Sequence, residues 1–494
     1  MLCALLFFSS FSLLRAAIPA CNNGVTTFDP PLTVGMPSWY PSNYTNTKPP
    51  IFPGDFKCEY KINVPTGWFA LIQMTVDMTY FQNVSAPVIV IDQLQNREEV
   101  YSAQQERFFF ASNGGTIRLS TGMTEQLSFG FKITWLQYPA MSPNITRVNA
   151  GDRNPLVLKH LVNDAFQFVA DYQVSATIMP LLNPLDRQYY RGIMFFDGPN
   201  GNVSCLGSGL SLLNSKAQYY STGKSMTIMF LPGNPIRYFT SILLQDYINT
   251  KGIGTFQGIT WSLQNPAHYA SFLMDASISP VAIQTLNINS NSEVILSLTG
   301  TGSLDVYLGG ATKNRSNLVT SYNAKNCDNY FPQLFLGDIK TYVLTSGVAI
   351  LNISEKSYQD YSPSKAIGRK GFLVTENYGV LSPNQQISEG IYSPPNVSIT
   401  VFKYSIQLAD LVPGVTLKIT NHTNGQETYH QYNSNNLPRL NVSNEIQGEK
   451  FFVRYFSNGK ANKGFHLDFE LIEASSSSIF SIIGVVVLLT FLLF

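Results

Sequence analysis

Charge is scarce in this chain. Of its 494 residues 13% are Asp, Glu, Lys or Arg, about half the share near 25% of ordinary soluble domains. The formal net charge is +1, so no basic field exists to draw in a polyanionic backbone, which argues against DNA or RNA as a partner. Histidine numbers five and cysteine five. So few histidines argue against a His-rich metal centre, and the absence of Cys-X-X-Cys removes zinc-ribbon and dithiol redox chemistry. Long helical periodicity is nearly absent, and only 155–171 has room for one short helix. What is abundant is apolar: 44% hydrophobic and 13% aromatic residues exclude a disordered chain. Setting aside the apolar ends leaves about 450 residues, enough for three or four domains.

Both ends read as addresses. Residues 1–20 hold a short apolar run from Met1 to Leu14 and then Ile18-Pro19-Ala20, the pattern of a secretory signal cleaved after Ala20. No Lys or Arg precedes the run. Pro19-Ala20-Cys21 loosely resembles a bacterial lipobox, but nine Asn-X-Ser/Thr sequons favour eukaryotic secretion: Asn43, Asn83, Asn144, Asn202, Asn314, Asn352, Asn396, Asn421 and Asn441. At the other end, 475–494 joins Ser475-Ser476-Ser477-Ser478 to a charge-free run ending at Phe494. As a helix, Ile479 to Phe494 covers about 24 Å, short of a ~30 Å hydrocarbon core. Small residues before a terminal apolar tail form a GPI-anchor signal, with Ser475 or Ser476 as attachment site. The alternative is a single membrane span.

Loss of Cys3 with the signal leaves Cys21, Cys58, Cys205 and Cys327. An even number in an oxidising compartment points to two disulfides, with three possible connectivities. Cys21–Cys58 is the local choice, and Cys205–Cys327 then follows by elimination. Period-two alternation dominates the rest: Ile72, Met74, Val76 and Met78 face one way, Gln73, Thr75 and Asp77 the other. Phe129, Phe131, Ile133 and Trp135 repeat the pattern, as do Phe465, Leu467, Phe469 and Leu471. One apolar face per strand describes an all-β protein of antiparallel sheets packed in pairs.

A weak repeat divides these strands into about four β-sandwich units. A mid-unit strand recurs at 88–92, 193–198, 304–309 and 417–420, and a closing strand at 129–137, 259–264, 348–354 and 465–472. The expected units are 21–140, 150–266, 275–357 and 370–473. In the first, Ser38-Trp39-Tyr40-Pro41-Ser42-Asn43-Tyr44 is followed by Phe56-Lys57-Cys58-Glu59-Tyr60-Lys61-Ile62, then Pro65-Thr66-Gly67 and Arg107-Phe108-Phe109-Phe110. This stretch resembles the CUB-like domain family of nematode-type secreted and surface proteins, over about residues 21–137. The resemblance implies a jelly-roll sandwich with a Cys21–Cys58 bridge, acting in extracellular recognition; members are associated with innate immune responses. The second CUB disulfide has no counterpart here, nor has the acidic trio of calcium-binding CUB domains.

Candidate chemistry is thin. Leu206-Gly207-Ser208-Gly209-Leu210 is not the Gly-X-Ser-X-Gly of a nucleophile elbow and reads as a turn. His466, Asp468 and Glu470 share the polar side of one strand, which a solvated face explains without acid–base chemistry. Asp197-Gly198-Pro199-Asn200-Gly201-Asn202 is oxygen-rich but lacks EF-hand spacing, so a tight turn is favoured. Phe108, Phe109 and Phe110 put aromatics on both faces of a strand, so at least one is a candidate for contact with a ligand, although core plus edge packing is the favoured account. Asn352 sits between Leu351 and Ile353, and a core-facing Leu351 requires it to face outward. No catalytic residue, metal or cofactor is expected. The expected function is a glycosylated, non-enzymatic surface protein that recognises an extracellular protein or glycan. A structural or adhesive coat protein is the alternative, and a glycosidase would need a pair of carboxylates in a cleft.

Overall fold

The computed structural model describes residues 21 and 24–474, apart from 43, 45–47, 79–84, 124–126, 160–163, 182–187, 234–240, 263–267, 289–290, 356–360, 362–363, 365, 396 and 398. The leader, the tail with Ser475 and Ser476, and the sequons at Asn43, Asn83 and Asn396 lie outside the described residues.

Alternating apolar residues pair their buried faces into eight sheets. The first unit holds β1 (Val25–Phe28), β2 (Pro37–Tyr40), β3 (Ile51–Phe52), β4 (Lys57–Ile62) and β5 (Trp68–Met78). It continues with β6 (Val88–Ile91), β7 (Arg97–Val100), β8 (Ala103–Phe110), β9 (Gly115–Ser120) and β10 (Leu127–Gln137). The second holds β11 (Met141–Val148), β12 (Leu156–Lys159), β13 (Ala165–Ala170), β14 (Val174–Met179) and β15 (Ile193–Phe196). There follow β16 (Cys205–Ser208), α1 (Gly209–Ser215), β17 (Tyr219–Tyr220), β18 (Ser225–Phe230), β19 (Ser241–Asp246) and α2 (Tyr247–Thr250). The third holds β20 (Thr255–Trp261), β21 (Tyr269–Ala276), β22 (Val281–Asn287), β23 (Ser292–Gly300) and β24 (Ser303–Leu308). It ends with β25 (Leu318–Asn323), β26 (Gln333–Leu336), β27 (Ile339–Leu344) and β28 (Gly347–Ser354). The fourth holds β29 (Lys370–Val374), β30 (Gln386–Tyr392), β31 (Thr400–Ala409) and β32 (Thr416–Thr423). Its last strands are β33 (Gln426–Tyr432), β34 (Ser443–Gly448), β35 (Lys450–Phe456) and β36 (Phe465–Glu473).

One topology is used four times. The first unit pairs sheet β1-β4-β9-β6-β7 with sheet β2-β10-β5-β8, β3 lying beside β10. With β3 left aside, the second unit repeats both orders as β11-β13-β18-β15-β16 and β12-β19-β14-β17. The third repeats them as β20-β22-β27-β24-β25 and β21-β28-β23-β26. The fourth, β30-β35-β32-β33 and β29-β36-β31-β34, differs by lacking the first strand among the described residues. That first strand joins its neighbour in parallel, β1 with β4, β11 with β13 and β20 with β22, and the other pairs of these strands are antiparallel.

The mid-unit strands of the sequence are β6, β15, β24 and β32, all at the same topological place. Among closing strands, 259–264 is a misreading: β19 closes the second unit and β20 opens the third. The reason is burial. All six residues of β19 are buried, so Ser241-Ile242-Leu243-Leu244-Gln245-Asp246 shows no alternation. The second sandwich therefore runs from Met141 to Asp246 rather than over 150–266, and the third begins at Thr255 rather than 275. Residues 155–171 carry β12 and β13, not a helix.

The bridge Cys21–Cys58 is formed, closing a separation of 37 residues, for which the chain-entropy account gives about 3.5–4 kcal/mol. The expected Cys205–Cys327 bridge is not: both are free thiols. Cys205 packs at the junction of the first two units and Cys327 inside the core of the third, so the two are held in different clusters.

The units pack on one another. Phe69 and Phe109, on the outer face of the first unit, meet Met194, Phe196, Met229 and Leu231 of the second. Phe108 and Phe110 face the first core, so none of the three phenylalanines is left for a ligand. Between the second and third units Thr177 Oγ1 donates to Gln284 Oε1 at 2.7 Å and Thr260 Oγ1 to the Met179 carbonyl at 2.8 Å. Between the third and fourth, Gln333 grips both the N–H and the carbonyl of Phe372.

Glu389 shares the inward face of β30 with Ile387 and Ile391, and burial pushes its carboxyl up to about 7. The folded state thus holds this proton more tightly than the unfolded chain, whose carboxyl titrates near ~4.3. Stability is greatest below that value and falls as pH rises toward 7. Partial exposure screens the effect to about 1–3 kcal/mol. Glu389→Gln is expected to raise the midpoint of thermal unfolding at pH 8 and to flatten its slope between pH 5 and 8; an unchanged slope would place the carboxylate in solvent.

Candidate functional site

Strand register builds a charged ladder on the outer face of the fourth unit. Lys370 on β29 lies opposite Glu470 on β36, Glu470 opposite Lys403 on β31, and Lys403 opposite Glu445 on β34. Cross-strand neighbours on one face stand close enough to interact, and Lys370 Nζ meets Glu470 Oε1 at 3.2 Å. The next row along β36 places Asp468 and then His466, whose Nε2 lies 3.0 Å from Asp468 Oδ1. The His466 ring packs against Phe372 and edge-on to Tyr378, with centroids 5.5 and 5.1 Å away.

This face is open to solvent, with the Asp468 side chain 51% exposed, and the third unit flanks it. Tyr330, Val319 and Thr320 of the third unit line, with it, an open cleft of about 630 Å³. His466, Asp468 and Glu470 lie on the accessible strand face, as expected, and that face lines the cleft together with Lys370, Lys403 and Asn441. Sequence reasoning had the three residues but not Lys370, Lys403 or Tyr330. The Lys-Glu-Lys-Glu row is visible only once four strands distant in the chain are in register.

The other candidates are placed as follows. Ser208 ends β16 and caps α1, its Oγ accepting from the Ser211 N–H at 3.1 Å. A strand and a short helix thus do flank it, against expectation, but its hydroxyl also meets Ser211 Oγ at 3.0 Å rather than a base. Asp197 accepts from the Thr222 N–H and hydroxyl, both at 2.8 Å, which ties the 197–202 loop to a neighbouring turn. Asn144, Asn202, Asn314 and Asn441 are exposed. Asn352 is on the outer face, with Ala349, Leu351 and Ile353 buried beneath it, and is held by Tyr269 and Ser297. Asn421 corrects the sequon reading: it is buried, and its Nδ2 donates to the Gln447 carbonyl at 2.6 Å and to Thr423. Among the described residues no group of three or more His, Cys, Asp or Glu is arranged to hold a metal. Nor is any helix there long and apolar enough to cross a membrane.

Residues 16–139 match the CUB-like domain family, and the N-terminal unit is a CUB-like domain. Residues 147–231 and 248–356 match two families described as domains of unknown function, DUF7592 and DUF7591. No curated protein matches. Among solved structures, the CUB1-EGF-CUB2 domains of rat MASP-1 are 9% identical, covering 44% of this chain and all of that one, with a TM-score of 0.17. A triple jelly-roll turret protein of an archaeal virus is also 9% identical, covering 86% and 83%, with a TM-score of 0.15. A CUB-like domain is an extracellular binding module, and the Cys21–Cys58 bridge fits the same compartment.

Proposed function

We propose that this is a non-enzymatic, glycosylated recognition protein of the cell surface, held by a C-terminal lipid anchor, that binds an extracellular glycan in defence. The observation that carries the reading is the cleft between the third and fourth units. Its ladder offers ammonium donors and carboxylate acceptors side by side, with Tyr330 partly exposed at the wall. Sugar hydroxyls need both kinds of partner, and a pyranose face needs an aromatic ring. Binding is favoured over hydrolysis because both carboxylates are engaged, Glu470 by Lys370 and Asp468 by His466. A protein ligand is the second occupant of the same chemistry. A coat protein built of spacers is the weaker reading, because the units share packed junctions rather than standing apart. The defence role rests on the family resemblance of the first unit.

Phosphatidylinositol-specific phospholipase C is expected to release the protein from intact cells. The released protein should bind neutral oligosaccharides on an array and whole microbes. Lys403→Ala and Tyr330→Ala should each weaken that binding tenfold or more, about 1.4 kcal/mol, without moving the unfolding midpoint. Binding that survives both substitutions would remove the cleft from the function.

Glycan occupancy supplies a second test. The N-glycosidic bond uses Asn Nδ2, and that atom of Asn421 is already hydrogen-bonded to the Gln447 carbonyl in a residue that is 6% exposed, so a glycan there has no room without unpacking the strand. Site-resolved mass spectrometry is expected to find Asn144, Asn202, Asn314 and Asn441 occupied and Asn421 empty. A glycan on Asn421 in secreted protein would overturn the packing of β32 against β34.

A further inference from the structure

The second sheet of the fourth unit, β30-β35-β32-β33, turns its outer face away from the cleft. On β35 the outward residues are Lys450, Phe452, Arg454 and Phe456, alternating with the buried Phe451, Val453 and Tyr455. On one side β30 sets Tyr392 opposite Lys450 and Gly390 opposite Phe452. On the other, β32 sets His422 opposite Lys450 and Lys418 opposite Arg454. Edge strand β33 adds Glu427 opposite His422 and Tyr429 opposite Thr420. Cations and rings therefore share one face.

They also touch. Lys450 Nζ lies 4.7 Å from the centre of the Tyr392 ring and 4.8 Å from that of Phe452, and the Arg454 guanidinium lies 4.7 Å from Phe452. Lys418 Nζ lies 4.1 Å from the centre of the Tyr429 ring and 2.7 Å from Glu427 Oε1. A Cβ at position 390 would stand 2.7 Å from the Phe452 ring, so Gly390 is what lets that ring reach across β30. Arg454, Tyr429 and Phe456 are exposed. Among the outward residues of these four strands Glu427 is the one carboxylate, against Lys418, Lys450, Arg454 and the titratable His422. The hydrogen bond from Lys418, and then the charges of Lys418, His422 and Arg454, hold the Glu427 carboxyl below its ordinary range, as a positive surface does.

We propose that this face binds an acidic polysaccharide, its sulfate or carboxylate groups meeting Lys450, Arg454 and Lys418 and its sugar rings lying against Phe452, Tyr429 and Phe456. The fit is one of charge. The cleft balances ammonium with carboxylate along its ladder, whereas this face carries a surplus of cations in a chain whose total is only +1. The planar fork of an arginine pairs with such anions, and an exposed ring gives a sugar face its apolar contact. A protein partner would favour an interface depleted of charge at its centre, and here Lys450 and Arg454 stand on an inner strand. Asn421, the sequon on these strands, is turned inward, so they hang no glycan over the face. The surface lies on the opposite sheet from the cleft and does not depend on the reading given to it.

Binding of the full chain to immobilised heparin, a sulfated polysaccharide, is measured with dextran as neutral competitor and with phosphatidylserine vesicles as a second anionic surface. Heparin should bind, and excess dextran should not displace it. The affinity should fall at least about tenfold between about 50 and 500 mM NaCl. Lys450→Gln and Arg454→Gln should each weaken binding at least about threefold. Tyr429→Ala should do the same through its ring, and none of the three should move the thermal midpoint. Lys57→Gln takes the same charge from an exposed position of the first unit and should leave heparin binding unchanged. The proposal is overturned if heparin fails to bind at about 50 mM NaCl, or if the vesicles are bound as tightly as heparin. It is also overturned if Lys450→Gln and Arg454→Gln bind like the parent, or if Lys57→Gln costs as much as they do.

Discussion

Glu293→Ala is expected to unfold the third unit near room temperature conditions that leave the parent folded, at a cost of about 3–5 kcal/mol. Glu293 is fully buried in the sandwich. Its Oε2 accepts from Trp261 Nε1 at 2.5 Å, and its Oε1 from Thr285 Oγ1 at 3.2 Å and from the Tyr342 hydroxyl. Truncation strands three donors in an apolar interior, each worth about 1–3 kcal/mol when unpaired. It also takes away the largest of the carboxylate charges that oppose the burial of Lys340, whose pKa that burial pushes down to about 8. Glu293→Gln keeps the volume and one acceptor, so it should lose less than half as much. Urea unfolding followed by tryptophan fluorescence reads both, and the Ala variant should shift the midpoint without changing the slope. A loss under about 1 kcal/mol would mean that the donors find water, and that the network is not a closed one.

Arg191→Ala is expected to separate the first unit from the second. The guanidinium, 11% exposed, donates to Glu98 through Nε at 3.0 Å and through a terminal nitrogen at 2.5 Å. It reaches Glu106 at 2.9 Å and lies 4.1 Å from the centre of the Phe108 ring. No other side chain can do all four, because only a planar fork bridges two carboxylates while stacking on a ring. Its removal leaves Glu98 and Glu106 facing each other half-buried, for an expected loss of about 2–4 kcal/mol. Arg191→Lys should recover less than half of it, since a point charge serves one carboxylate at a time. The readout is protease sensitivity of the connection near 137–141 together with small-angle scattering. Ala should be cut fastest and be most extended, Lys intermediate. Equal behaviour of all three would show that the Phe69–Phe109–Met194 contact alone holds the junction.

Much of the fold was readable because a half-buried strand writes its environment into alternate residues. Phe129, Phe131, Ile133 and Trp135 are all buried as the alternation requires, and the same holds for Ala349, Leu351 and Ile353 around Asn352. The four mid-unit strands fell at one topological place for the same reason. Strands buried on both faces carry no such signal. β19 was passed over, and with it the boundary between the second and third units. Phe109 is packed, as the favoured reading of the aromatic triplet has it, but against a neighbouring unit, a partner that local pattern does not name.

By itself the sequence determined the class: all-β, four units, a CUB-like first domain and a disulfide between Cys21 and Cys58. Each of these rests on residues near one another in the chain, or on a period that needs no partner to be seen. The tertiary structure alone decided the rest. Cys205 and Cys327 are kept apart because their units bury them in separate clusters. Asn421 is closed because β34 packs its backbone beside the amide. The ladder Lys370–Glu470–Lys403–Glu445 comes from four strands brought into register across about one hundred residues. Charges act through space, and in a sheet protein the residues that share a face are set by pairing between distant strands, which local patterning does not encode.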